Sequence, residues 1–377
     1  MDFSKIDAYL ATLPDCGIPA AELAVTKDGK TVYRGAVGFA DAAKTRPVSS
    51  RDLYWIFSAT KIVTCTAAMR LLEQGKIALS DPVSKYIPEY AEMQILDKES
   101  GTLSPAKTAM TVEHLFTMTG GMSYDLNTPN ILAAKAPTAT TLDMVRAMAK
   151  DPLRFEPGTH YRYSLCHDVL AAVCEVASGM RFSDYLQKEI FDPLEMKDIG
   201  FRPSAEQKAR FSAQYRYYAG TATAKEIPNE NQYCFSDNYD SGGAGLFAAV
   251  DDYIKLITVL ANGGTAENGY VLLNPETVAL MQENHLCDDA RNDFVSTRSH
   301  GYGWGLCGRV HMNKTVSRAR SAIGEFGWDG AAGAYVLVDP THRIALYYGM
   351  EVRSCQYAYH RVHPELRDLV YEALGIE

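Results

Sequence analysis

The apolar positions of this chain fall into three regimes. Near the start, Ala21–Thr26 and Thr31–Val37 read as strands behind a first helix, and Asp28-Gly29 between them is a strong hairpin-turn signal. An apolar run from Leu53 to Phe57 then passes through Ser58 into Ile62, Val63, Ala67, Ala68, Met69, Leu71 and Leu72, with Gly75 as a stop. That spacing predicts one helix of about four or five turns, apolar enough to be buried. From Asp81 onward the pattern changes to helices and long loops. Val112–Met118, Leu142–Ala149, Asp168–Ser178 and Phe182–Ile190 read as helices between stretches rich in Gly, Pro, Thr and Asn. Ser241-Gly242-Gly243-Ala244-Gly245 reads as a close-packed turn, and Asp251–Ala261 returns to a helical pattern. In the last third, Gly301–Leu306, Ala322–Trp328, Ala334–Val338 and Ile344–Gly349 read as strands, with a turn at Asp339-Pro340. Pro364–Leu374 closes the chain as a helix with its proline in the first turn.

Strands at both ends predict an α+β fold: one antiparallel sheet formed from both termini, flanked by helices, with an inserted mostly helical domain. The expected division is 1–80 plus 240–377 for the sheet domain and 81–239 for the insertion, with a cleft between them. Loops near 93–110 and 205–235 are the expected specificity elements.

Composition removes several functions. The chain has 377 residues, 47% hydrophobic and 22% charged, with a net charge of −9, which argues against nonspecific nucleic-acid binding. There is no run of about eighteen apolar residues, so no transmembrane helix is expected. Met1-Asp2-Phe3-Ser4-Lys5 lacks the basic and apolar regions of a secretory signal, and the chain reads as cytoplasmic. The eight cysteines are scattered without Cys-x-x-Cys spacing or a zinc-type cluster, so buried free thiols are expected and no metal. There is no phosphate loop, dinucleotide fingerprint, His-Glu-x-x-His or Gly-x-Ser-x-Gly elbow, and no cofactor is expected.

Candidate chemistry centres on Ser58-Ala59-Thr60-Lys61. Positions i and i+3 share a helix face, so the amine can reach the hydroxyl. An amine able to take the hydroxyl proton makes serine a nucleophile, and helix-start N–H groups can hold an oxyanion. The structural alternative is a helix cap. Ser-x-x-Lys arises roughly once by chance in a chain of this length; the second copy here, Ser104-Pro105-Ala106-Lys107, sits in a loop-like run. Lysine amines are normally protonated at neutral pH, so burial, a partner or a second proton carrier must help. Tyr163-Ser164, the one Tyr-Ser dipeptide among 23 tyrosines, supplies the candidate carrier; a packed loop tyrosine is the alternative. His167 and Asp168 are adjacent at a helix start and point apart, which suits solvent exposure or capping better than a triad.

With these residues in order, the chain resembles the serine β-lactamase and penicillin-binding-protein superfamily. The similarity is greatest to the class C-like branch with its family VIII esterases and D-amino-acid peptidases. Leu79–Pro88, Thr111–Met122, Glu156-Pro157-Gly158 and Ser241–Leu246 match stretches these proteins carry, so the resemblance covers nearly the whole chain. It implies the β-lactamase/transpeptidase-like fold. It implies Ser58 as nucleophile, Lys61 and Tyr163 as proton carriers, and the N–H groups of Ser58 and Ala331 as oxyanion hole. Two positions depart from the lactamases and peptidases. Leu165 stands where Tyr-x-Asn has its amide. Trp328-Asp329-Gly330 stands where Lys-Thr-Gly or His-x-Gly grips a substrate carboxylate. Leu165, Trp328 and Gly330 are therefore expected to bind substrate through apolar surface and close backbone approach, as in the esterase branch. Asp329 has no assigned role, and Arg309, Arg318, Arg320 and Arg353 are candidates for a cation near the cleft. The expected function is a serine hydrolase forming a covalent acyl-enzyme on a small-molecule ester or amide, most simply a carboxylesterase. A D-aminoacyl peptidase or weak β-lactamase on the same fold, and a non-catalytic ligand-binding protein, are the alternatives. Oligomeric state is not written in the sequence.

Overall fold

Alternation along the N-terminal hairpin sets up the architecture. Ala20–Lys27 (β1) is buried along almost its whole length, so it needs partners on both edges and cover on both faces. Lys30–Gly38 (β2) flanks it on one side, through a turn at Asp28 and Gly29, both with positive φ. On the other side lies Ile344–Met350, antiparallel, with Leu23 opposite Tyr348. The remaining strands are Tyr302–Gly305 (β3), Gly308–His311 (β4), Phe326–Gly327 (β5) and Tyr335–Asp339 (β6), with Ile344–Met350 as β7. The sheet order is β3-β4-β5-β6-β7-β1-β2. The computed structural model describes residues 1–297 and 300–376.

The period of two separates the faces. Leu23, Val25, Leu337, Leu346 and Tyr348 pack with Ile6, Leu10, Leu366 and Val370 from helices Ser4–Thr12 (α1) and His363–Ala373. Ala24, Val336, Val338, Ala345 and Tyr347 face the other way, into the core that holds Val250–Ala261. Each large apolar side chain so covered contributes roughly 1.5–3 kcal/mol. Both termini thus build the sheet, giving the expected α+β fold.

Thr60–Glu73 (α2) is buried on nearly every side, as its apolar composition requires. It packs against Cys166–Ser178 (α3). Ahead of it, Leu53–Trp55 pairs with Phe247–Ala249, fixing the approach to Ser58.

Several elements differ from the expectation. The strand expected over Ala322–Trp328 is reduced to Phe326–Gly327, because Ser321–Glu325 turns back, with Gly324 at positive φ. Gly308–His311 was not expected as a strand: half its residues are polar, yet Arg309 and His311 are buried and bonded. Phe182–Ile190 divides into a short α-helix, Phe182–Leu186, and a π turn, Gln187–Phe191. The middle of the chain also carries a hairpin, Tyr215–Tyr218 with Thr223–Glu226, that joins Val352–Arg353 in a small sheet. Among the described residues, no helix is long and apolar enough to cross a membrane.

Candidate active site

Ser58 lies in a 3₁₀ turn, Phe57–Ala59, directly before α2. Phe57 adopts a left-handed φ of 43° while fully packed, a strained backbone state that needs surrounding support. The cap of α2 is Ala59, with no side-chain cap bond, so the Ser58 hydroxyl is not spent on capping. Ser58 is 7% exposed.

Lys61 is completely buried, one helical turn on. Its Nζ lies 3.4 Å from Ser58 Oγ and donates to the Gly243 carbonyl at 2.6 Å. The same Nζ stands 4.7 Å from the Tyr163 ring centroid and 5.5 Å from that of Tyr124. Two aromatic faces and a carbonyl therefore hold the amine beside the hydroxyl. Tyr163 is partly buried, stacks on Tyr124 at 5.2 Å, and accepts a hydrogen bond from Trp328 Nε1 at 2.9 Å. That bond uses one lone pair of the phenol oxygen. Burial keeps the Tyr124 phenol well above its ordinary range.

The turn after Trp328 brings Gly330 against the segment that leads into Ser58. Gly330 sits so close to Ile56 that a Cβ there would press into the Ile56 carbonyl oxygen. The missing side chain thus lets the Gly330 backbone lie against Ile56, two residues before Ser58. Tyr359 donates to the Gly330 carbonyl at 2.8 Å, and the turn closes through Gly330 N–H to Ala334 O. Asp329 pairs with Arg309 at 3.1 Å, and Arg309 also bonds Glu325 and the Val336 carbonyl. Arg309 is thereby committed to this turn. Arg353 lies beside the segment leading into Ser58, its guanidinium 5.3 Å from the Phe57 ring centroid.

Ser58, Lys61, Tyr163 and Trp328 thus form one contiguous set. Leu165 is 2% exposed and packs in the same core as Trp328, while its N–H donates to Ser123 O. His167 and Asp168 correct the expectation of exposure or capping, since both are buried. The His167 ring bonds the Phe116 carbonyl at 3.1 Å. Asp168 Oδ1 accepts from Tyr239 at 2.7 Å and from Ser241 at 2.6 Å, whereas its Oδ2 has no partner. A Cβ built on Gly243 would lie 2.5 Å from that Oδ2 and 3.4 Å from Lys61 Nζ, so carboxylate and amine face each other across Gly243. The glycine-rich turn was legible as close-packed; nothing in its sequence announced that it carries the Lys61 acceptor. Gly242 likewise admits the His167 carbonyl and Ala171 where a side chain would stand.

Comparison with known proteins gives the lineage. A family model described as Beta-lactamase matches residues 5–351. Esterase EstB of Burkholderia gladioli is 28% identical, covering 89% of this chain and 87% of its own. The lovastatin esterase of Penicillium rubens is 30% identical, covering 72% and 70%. EstCE1, a solved structure described as a hydrolase with promiscuous acyltransferase activity, superposes with a TM-score of 0.82 over 98% of both chains at 24% identity, which speaks to the fold. The near-complete family match, together with these relatives, makes the chain a serine hydrolase of the beta-lactamase family, in the branch that includes esterases.

Proposed function

We propose that the enzyme is a carboxylesterase that works through an acyl-enzyme on Ser58. Ser58 Oγ attacks the ester carbonyl carbon, and its proton passes to Lys61 Nζ and Tyr163. The carbonyl oxygen, now negative, is held by the N–H groups of Ser58 and Ala331. The proton is returned to the leaving alcohol oxygen as the C–O bond breaks. Water then attacks the acyl carbon, gives a proton to the same pair, and releases the acid as Ser58 recovers its hydrogen.

The observation that carries the ester reading is Trp328. Its indole N–H is bound to the Tyr163 oxygen, and its ring packs 4.5 Å from Trp304, centroid to centroid. An apolar wall therefore stands where a carboxylate-gripping cation would be needed, and the esterases among the relatives support the same reading. We also propose that the unit 81–239 supplies Tyr163, while 1–80 with 240–377 supplies Ser58, Lys61, Trp328 and Ala331. Eight unpaired thiols, five of them buried, suit a reducing compartment such as the cytoplasm.

A substrate panel tests the assignment. Short-chain p-nitrophenyl esters are expected to exceed a chromogenic cephalosporin and a D-alanyl-D-alanine peptide by at least about 100-fold in kcat/KM, the scale on which unpaired polar groups discriminate. Faster turnover of the lactam or peptide would reverse it. At the oxyanion turn, Gly330→Ala is expected to lower ester kcat by about tenfold or more, because the Ile56 carbonyl must yield. Unchanged kcat in that variant removes the turn from the mechanism.

A further inference from the structure

Residues 351–353 lie outside the Ser58 group yet touch both segments that would hold an oxyanion. Glu351 is 1% exposed. Its Oε2 accepts the Trp55 N–H at 2.7 Å, three residues before Ser58, and its Oε1 accepts from Gln214 Nε2 at 2.9 Å. The Val352 N–H donates to the Ala332 carbonyl at 2.9 Å, one residue beyond Ala331. Arg353 covers Phe57, the left-handed residue immediately before Ser58. The segment is itself anchored, since Val352–Arg353 pairs with Tyr215–Arg216 and the Tyr215 N–H donates to the Glu351 carbonyl at 2.8 Å.

We propose that residues 351–353 form a clamp that fixes the Ser58 N–H relative to the Ala331 N–H, with Glu351 as its positioning residue. The inference rests on reading those two N–H groups as oxyanion donors. A buried carboxyl is a costly way to hold one backbone N–H, and apolar packing would serve stability as well. What it adds is direction: a short, fixed bond on the strand that delivers the nucleophile. Displacing catalytic groups by about 1 Å costs on the order of 10²-fold in rate.

The charged and titratable groups facing Glu351 are Arg353 on its own segment and Tyr347 on β7. The Trp55 strand presents a backbone N–H, and the Tyr215 side presents the Gln214 amide. Burial pushes the Glu351 carboxyl up to about 8, so the neutral acid prevails at pH 7. A turn of the Gln214 amide gives that proton an acceptor in Gln214 Oε1, a buried oxygen otherwise without a partner. Above pH 8 the carboxylate charges inside the clamp.

Steady-state hydrolysis of p-nitrophenyl butyrate from pH 6 to 9.5 tests the clamp in wild type, Glu351→Gln and Glu351→Ala. Glu351→Ala is expected to lose about 10–100-fold in kcat with KM moved less than about threefold. Glu351→Gln is expected to keep kcat at pH 7 within about threefold, and to lack the part of the wild-type decline that sets in near pH 8. Wild-type kcat in Glu351→Ala, or the full wild-type alkaline decline in Glu351→Gln, overturns the proposal. If Glu351→Ala gives no cooperative melt, the Glu351→Gln profile decides. Labelling by a fluorophosphonate separates the two levels. No Ser58 adduct in wild type defeats the catalytic reading itself, whereas an adduct forming in Glu351→Ala at the wild-type rate defeats the clamp alone.

Discussion

Ser58→Ala will lower ester turnover by about 10⁴-fold or more, with the fold intact. The substitution removes the atom that would form the acyl bond and nothing that supports the turn: Ser58 Oγ caps no helix, and its contact in the site is the 3.4 Å approach of Lys61. The Thr60 and Tyr253 hydroxyls, which bond Leu246 N–H and the Ala59 carbonyl, still hold the segment in place. The melting temperature should therefore stay within a few degrees of wild type, a difference of about 1 kcal/mol or less. Residual hydrolysis should match what the oxyanion donors and binding alone provide. Activity near wild type in this variant would remove Ser58 from the chemistry.

Lys61→Met will lower kcat by about 10²–10⁴-fold, and unlike Ser58→Ala it will also destabilise the protein. Two groups lose a counterpart. The Gly243 carbonyl loses its 2.6 Å donor, and Asp168 Oδ2, already without a hydrogen bond, loses the polar amine near it beside Gly243. Leaving buried polar groups unmatched costs roughly 1–3 kcal/mol, more where one is charged. Lys61→Arg should not restore activity, because the planar guanidinium needs more room than the Tyr163, Tyr124 and Gly243 walls leave. Thermal melts with kcat on a single ester check both effects. A Lys61→Met protein of full activity would leave Tyr163 to do the proton transfer without the amine.

The sequence showed the parts of the site that are local. Ser58 and Lys61 are one helical turn apart, so one short pattern contains their contact, and Tyr163-Ser164 is a single dipeptide. It did not show what depends on distant chain segments meeting. The Trp328–Tyr163 hydrogen bond joins residues 165 positions apart, and Asp168 is buried because Tyr239 and Ser241 return to it from a third segment. The apolar pattern also mistook buried polar residues for exposed ones. Arg309 and His311 hid the strand Gly308–His311, and His167 with Asp168 looked like a solvated helix start. In each case hydrogen bonds to groups elsewhere in the fold offset burial, and hydropathy along the chain does not record them. The strands at the β6-β7-β1-β2 side of the sheet were easier to read. They alternate cleanly between two covered faces, and the Asp28-Gly29 turn names its own geometry.

The central claim is that Ser58 carries the acyl group, and mass spectrometry of the protein after fluorophosphonate treatment tests it most directly. The expected result is one adduct per chain, on the peptide containing Ser58, formed in step with loss of ester hydrolysis and absent from Ser58→Ala. Full esterase activity with no adduct at Ser58, or inactivation through an adduct at another serine such as Ser104 or Ser164, would contradict the account.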